Sequence, residues 1–97
     1  MDYSNNLTES PKVHRIDDKE PTYKEIKKLV GGYIEVAYDD GKTQIICNEE
    51  GKIEGHPYNE AATVEWNKLL ESNKFYEHNT DVLVGDVVIL TGEALLK

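Results

Sequence analysis

Apolar and polar residues alternate on both sides of Asp40-Gly41. From Gly32 to Asn48 (GYIEVAYDDGKTQIICN) the chain reads as two strands around a dipeptide that favours the positive φ angles of a tight hairpin turn. A turn centred on Asp40-Gly41 predicts that Asp39 faces Lys42, Tyr38 faces Thr43, Val36 faces Ile45 and Ile34 faces Cys47. Ile34, Val36, Tyr38, Thr43, Ile45 and Cys47 then share one face, and Tyr33, Glu35, Ala37, Gln44, Ile46 and Asn48 the other. A slip by one residue would mix Glu35 and Gln44 into the apolar set, so pattern and turn agree on this register.

Helical spacing appears on either side of the hairpin. Thr22-Tyr23-Lys24-Glu25 after Pro21 is a capping box. Tyr23, Ile26, Leu29 and Val30 form one apolar stripe, Lys24, Lys27 and Lys28 a solvated face, and Gly31-Gly32 a stop. After the hairpin, Asn48 to Lys52 form a turn around Gly51, Ile53 is expected to tuck back to the core, and Gly55-His56-Pro57 is irregular. Asn59 is an N-cap candidate with Glu60 in the first turn. The spacing predicts a helix over 60–76, with Ala62, Trp66, Leu69 and Leu70 on its apolar side and Phe75 or Tyr76 closing it.

Two strands complete the pattern. Val13 to Ile16 alternate as a short edge strand. The run Val82 to Leu90 is rich in β-branched residues and reads as a strand buried on both faces, interrupted at Gly85-Asp86. Glu93 to Lys97 is a tail or a last helical turn. The expected architecture is α+β: one small domain over 11–97, a mixed, mostly antiparallel sheet of four or five strands in the order β-α-β-β-α-β, with two helices together on one face. Met1 to Ser10 are expected to be a mobile arm, with Tyr3 and Leu7 its only anchors.

Composition narrows the function classes. The 97 residues suit one domain, and such a chain buries roughly 60–65% of its unfolded surface. The formal net charge of −8 speaks against direct binding to nucleic acid or an anionic membrane and permits binding to a basic protein surface, with plain solubility as the alternative reading. The single cysteine, Cys47, excludes an internal disulfide and is expected to be a small buried side chain. No run approaches a membrane span and no apolar signal segment follows Met1, so the expected location is the cytoplasm.

Catalytic chemistry is thinly represented. His14, His56 and His78 are scattered without metal-ligand spacing, so neither a metal nor another cofactor is expected. Ser4, Ser10 and Ser72 have no histidine beside them in the pattern, and Cys47 points inwards. The carboxylate pairs Asp17-Asp18, Asp39-Asp40 and Glu49-Glu50 all fall in turns, where they serve solvation, and general acid–base work needs a carboxylate in a cleft. Gly31-Gly32 ends a helix, whereas a phosphate loop opens one. A binding site is easier to place. If the second helix packs back on the sheet, its amino end (Tyr58, Asn59) approaches the turn of Asn48, Glu49 and Glu50. The alternative there is purely structural, with Asn48 capping a turn and Asn59 a helix. Asp39, Asp40 and Glu54 are candidates for an acidic contact surface.

Four blocks in order add a resemblance: LVGGYIEV from Leu29, NEEGK from Asn48, PYNEAAT from Pro57 and VGDVV from Val84. From about Ile26 to Leu90 the chain resembles a small family of unknown function found mainly in bacteriophages and mobile elements. The resemblance implies a compact α/β domain of viral or mobile-element origin and brings no established enzymatic role with it. It implies a site at the Asn-Glu-Glu-Gly and Asn-x-x-Ala blocks. The expected function is binding: inhibition or modulation of a host defence or nucleic-acid-handling protein with a basic surface. One alternative is a homo-oligomer that sequesters a small nucleotide signal, and another is a virion or scaffold component.

Overall fold

The computed structural model describes residues 10–73 and 79–97. The mobile-arm reading, the closing Phe75 or Tyr76 and His78 lie outside the described residues. The order of elements is β1 (Val13–Ile16), α1 (Tyr23–Val30), β2 (Ile34–Asp39), β3 (Thr43–Asn48), α2 (Glu60–Asn73) and β4 (Val87–Thr91), followed by a 3-10 turn at Gly92–Ala94. The four strands form one mixed sheet in the order β1-β4-β3-β2, with β1 parallel to β4 and the other pairs antiparallel. This is the expected single α+β domain with a four-stranded sheet and two helices packed on it.

The sequence predicts both helices on one face; instead they cover opposite faces. Ile45 and Cys47 of β3 and Val87 and Ile89 of β4 pack with Tyr38, Leu83 and with Ala62 and Trp66 of α2. Their alternate neighbours Ile46, Val88 and Leu90 pack with Ile26 and Val30 of α1 and with Ala94. The reason lies in the central strands. Both β3 and β4 are apolar at successive positions, and such strands need cover on two sides. Leaving either face open would return several side chains to water at roughly 1.5–3 kcal/mol each.

The helix starts are those the side chains dictate. Thr22 accepts the Glu25 amide at 3.0 Å, and the Glu25 carboxylate accepts the Thr22 amide at 2.7 Å. At the other end of α1 the Gly31 amide donates to the Lys27 carbonyl at 2.8 Å. Asn59 caps α2: its Oδ1 accepts the Ala62 amide at 3.0 Å.

The hairpin register departs from expectation. Tyr38 pairs with Ile45 and Asp39 with Gln44; beyond an irregularity at Ala37, Val36 pairs with Ile46, Glu35 with Cys47 and Ile34 with Asn48. Asp40 causes the shift. Its Oδ1 accepts the amides of Lys42 and Thr43, both at 2.8 Å, and its own amide donates to the Thr43 carbonyl. Asp40 is thereby held at the last paired position, and the turn moves on to Gly41-Lys42, with Gly41 at a φ of 84°. The extra residue at Ala37 is a β-bulge, which lets Ala37 and Tyr38 both pack on the α2 side. The expected common face of Ile34, Val36, Ile45 and Cys47 is therefore not formed. Ile34 packs with the α1 cluster, and Val36 is 48% exposed.

Two further expectations are corrected. Ile53 does not tuck back; it is 86% exposed on its turn. The apolar run from Val82 becomes strand only at Val87, and Val84 makes a single bridge to Tyr58. Gly85, at a φ of 71°, breaks the run, and Asp86 then turns to β1, where it accepts the Lys12 amide at 3.0 Å and meets His14 Nε2 at 2.9 Å.

Candidate functional site

The new register puts Glu35 beside Cys47, and this pairing defines a cleft. β2 forms one wall with Glu35, Val36 and Ala37. The loop from Asp81 to Val84 forms the other. Cys47 and Trp66 line the space between them, and Glu49, Lys52 and Ile53 surround it. Its volume is about 200 Å³. The loop wall is anchored on α2: Thr63 Oγ1 accepts the Leu83 amide at 2.9 Å, and the Asn59 amide donates to the Leu83 carbonyl at 2.9 Å. Lys52 pairs with Asp81 across the end. Thus a strand, a turn and a loop from distant parts of the chain meet around one opening.

The cleft is mixed in character, with Cys47, Trp66 and Leu83 among its apolar lining and Glu35, Glu49 and Asp81 among its acidic lining. Ile53 stands exposed at it, which leaves aliphatic surface for a partner to cover, while Val36, paired with Ile46, contributes its main chain and turns its exposed side chain to the α1 face. Glu35 and Glu49 are solvent-exposed, and neither carboxylate has a hydrogen-bond or ion-pair partner among the described residues. Trp66 is 9% exposed, and its indole N–H has no acceptor among the described residues. An unmet buried donor costs about 1–3 kcal/mol. The Cys47 thiol is pushed up to about 11 by burial and by the nearby Glu35 charge. At neutral pH it is therefore a thiol, and only the thiolate is an effective nucleophile.

The residues singled out in the sequence divide into two groups. Asn48 and Asn59 are structural. Asn48 is buried; its Nδ2 donates to the Val30 carbonyl at 3.2 Å, and its Oδ1 accepts the Glu50 amide at 2.7 Å. Asn59 is 1% exposed, and its Nδ2 donates to the carbonyls of Gly85 at 2.8 Å and Lys12 at 3.2 Å. These two amides hold the helix ends to the sheet; Asn48 also lines the cleft, whereas Asn59 does not. Glu49 and Glu50 are exposed at the turn, and Tyr58 is half-exposed on the far side of it.

The proposed acidic surface is similarly divided. Asp40 is consumed by the hairpin. Burial alone would raise its carboxyl, but the Tyr38 hydroxyl at 2.7 Å and the Lys42 and Thr43 amides outweigh that and hold it below the usual range. Asp39 accepts the Gly41 amide and the Gln44 side chain. Glu54 meets His56 at 3.1 Å. The residue that sequence reasoning missed is Glu35. Its place at the cleft depends on the register, and the signal for that register was the Asp40 side chain facing its own turn amides.

The remaining histidine contacts are structural as well. His56 fills the space beside Gly51 and Gly85, and His14 ties β1 to the start of β4 through Asp86. Burial opposes ionisation of Asp86, but the hydrogen bonds from His14 and the Lys12 amide prevail and keep its carboxyl below the ordinary value. Among the described residues no helix is long and apolar enough to cross a membrane.

The comparisons with other proteins return a single family. Residues 5–94 match the family described as Domain of unknown function (DUF3846). No curated protein and no solved structure matches the chain.

Proposed function

The chain belongs to the DUF3846 family, and from that starting point we propose that it works by binding a basic protein surface through the cleft between β2 and the 81–84 loop. One observation carries this reading: two carboxylates without partners among the described residues, Glu35 and Glu49, lie at the opening of a cleft lined by Cys47 and Trp66, beside exposed Ile53. A lysine or arginine would meet the carboxylates while its aliphatic stem covered the apolar surface. The net charge of −8 would speed the encounter and make it sensitive to salt.

The resemblance to a bacteriophage and mobile-element family directs the reading further. The partner would be a host defence or nucleic-acid-handling protein in the cytoplasm, whose basic groove this domain blocks or modulates. Sequestration of a small nucleotide is less well supported. Phosphates entering the cleft would meet Glu35, Glu49 and Asp81, and Lys52 is already paired with Asp81.

Affinity capture tests the reading. The full chain and a Glu35→Gln/Glu49→Gln variant are immobilised and exposed to the same cell extract at low and high salt. The expected result is a set of basic proteins held by the native chain at low salt and lost with the variant. Retention of the same proteins by both chains, or capture unaffected by salt, would overturn it.

A further inference from the structure

The cleft runs along a strand whose outer edge is unpaired among the described residues. The sheet order places β2 at one side, and among the described residues no strand pairs with its outer edge. The direction of its peptide groups follows from one bond. The Glu49 amide donates to the Tyr33 carbonyl at 2.8 Å, so Tyr33 and Glu49 form a hydrogen-bonded pair. In an antiparallel ladder such pairs alternate with non-bonded ones. Glu35 with Cys47 is then the next bonded pair, while Ile34 opposite Asn48 and Val36 opposite Ile46 are non-bonded. The N–H and C=O groups of Ile34 and Val36 therefore point away from β3, along the free edge.

An exposed edge is ordinarily protected by charge, by a bulge or by a covering element. Here the bulge at Ala37 ends the regular edge, and Glu35, Asp39 and Asp40 supply charge of one sign. That sign decides the occupant. A second copy of this chain pairing antiparallel through the same peptide groups, Ile34 to Val36, would be centred on Glu35 and set the two Glu35 carboxylates opposite each other, and like charges directly opposite are destabilising. A segment carrying lysine or arginine meets the same groups favourably.

Building on the acidic-cleft reading, we infer that the partner is engaged by strand addition: an extended polypeptide segment with lysine or arginine at alternate positions pairs with β2 through the peptide groups of Ile34 and Val36. Main-chain hydrogen bonds supply affinity in this mode, and pockets for alternate side chains supply specificity. The adjoining cleft, with Trp66 and Cys47 inside and Glu35 and Glu49 outside, takes the side chains that point to the α2 face.

A displayed library of random octapeptides, selected against the full chain, tests both layers separately. Selected peptides should carry lysine or arginine at alternate positions with aliphatic residues between them. On titration into the isotopically labelled chain, the amides of Ile34 and Val36 should exchange with solvent at least about tenfold more slowly. Val36→Pro removes an outward N–H that β3 does not use, a substitution that edge strands accept, and should weaken binding about tenfold or more. N-methylation of the peptide at alternate residues gives the same loss without altering the protein. Basic peptides that bind without protecting Ile34 and Val36, or that bind equally well when N-methylated, would overturn strand addition and leave the acidic cleft standing. A library that yields no basic peptide would overturn both.

Discussion

Asn59 shows how one side chain can settle three elements. It caps α2, accepts the Ala62 amide, and donates to Gly85 and Lys12 from a position that is 1% exposed. Asn59→Ala removes the cap and strands two carbonyls, so it should cost on the order of 2–4 kcal/mol. The denaturation midpoint measures this, and a loss below about 0.5 kcal/mol, the lower end of capping effects, would mean the amide is dispensable. Tyr38 and Cys47 make a second prediction at this scale. Burial and the hydrogen bond to Asp40 raise the Tyr38 hydroxyl to about 12, and burial with the Glu35 charge raises Cys47 to about 11. Both groups are neutral when protonated, and both titrate lower in the unfolded chain, near 10 and 8.5 roughly. The folded state therefore binds more protons between those values, and its stability falls as pH rises from about 9 to about 12. Thermal melts across that range should show the decline, and Tyr38→Phe should flatten its upper part. A melting temperature constant to pH 12 in the native chain would contradict the assignment.

Elements were legible wherever a local signal and a tertiary demand agreed. The capping box at Thr22, the stop at Gly31 and the cap at Asn59 are local chemistry, and each is where its residues imply. The hairpin existed in the pattern, but its register did not. Asp40-Gly41 favoured one turn, whereas the Asp40 carboxylate selected the next by binding the Lys42 and Thr43 amides. Alternation could not decide between them, because β3 is buried on both faces and either register presents apolar residues inwards. The same double burial in Val87 to Leu90 was the available sign that the helices must lie on opposite faces. The break at Gly85 supplies the test at this scale. A methyl group there would sit 2.7 Å from His56 Nδ1 on a backbone with φ of 71°, whereas Gly41, at 84°, faces open space. Gly85→Ala should cost on the order of 2–4 kcal/mol and Gly41→Ala about 1–2 kcal/mol, since only the first adds a clash to the backbone strain. Equal losses in chemical denaturation would show that His56 does not pack as described.

At the scale of the whole molecule, the candidate site was only half visible beforehand. Glu49 sits in a turn that composition alone marks as exposed, and the acidic balance of the chain pointed to a basic partner. Glu35, Trp66, Cys47 and the 81–84 loop converge only through tertiary pairing, because their grouping depends on the bulge at Ala37 and on the Thr63–Leu83 contact. That cleft is the proposed seat of the partner. Cys47 lines it and is the only cysteine in the chain, so one thiol reports its occupancy. The most direct measurement is the rate of Cys47 alkylation in the full chain, with and without a saturating basic peptide from the library selection. The account predicts slow alkylation that slows further, by about tenfold, when the peptide is bound. An unchanged rate at saturation would place the partner elsewhere on the molecule and contradict the assignment of the cleft.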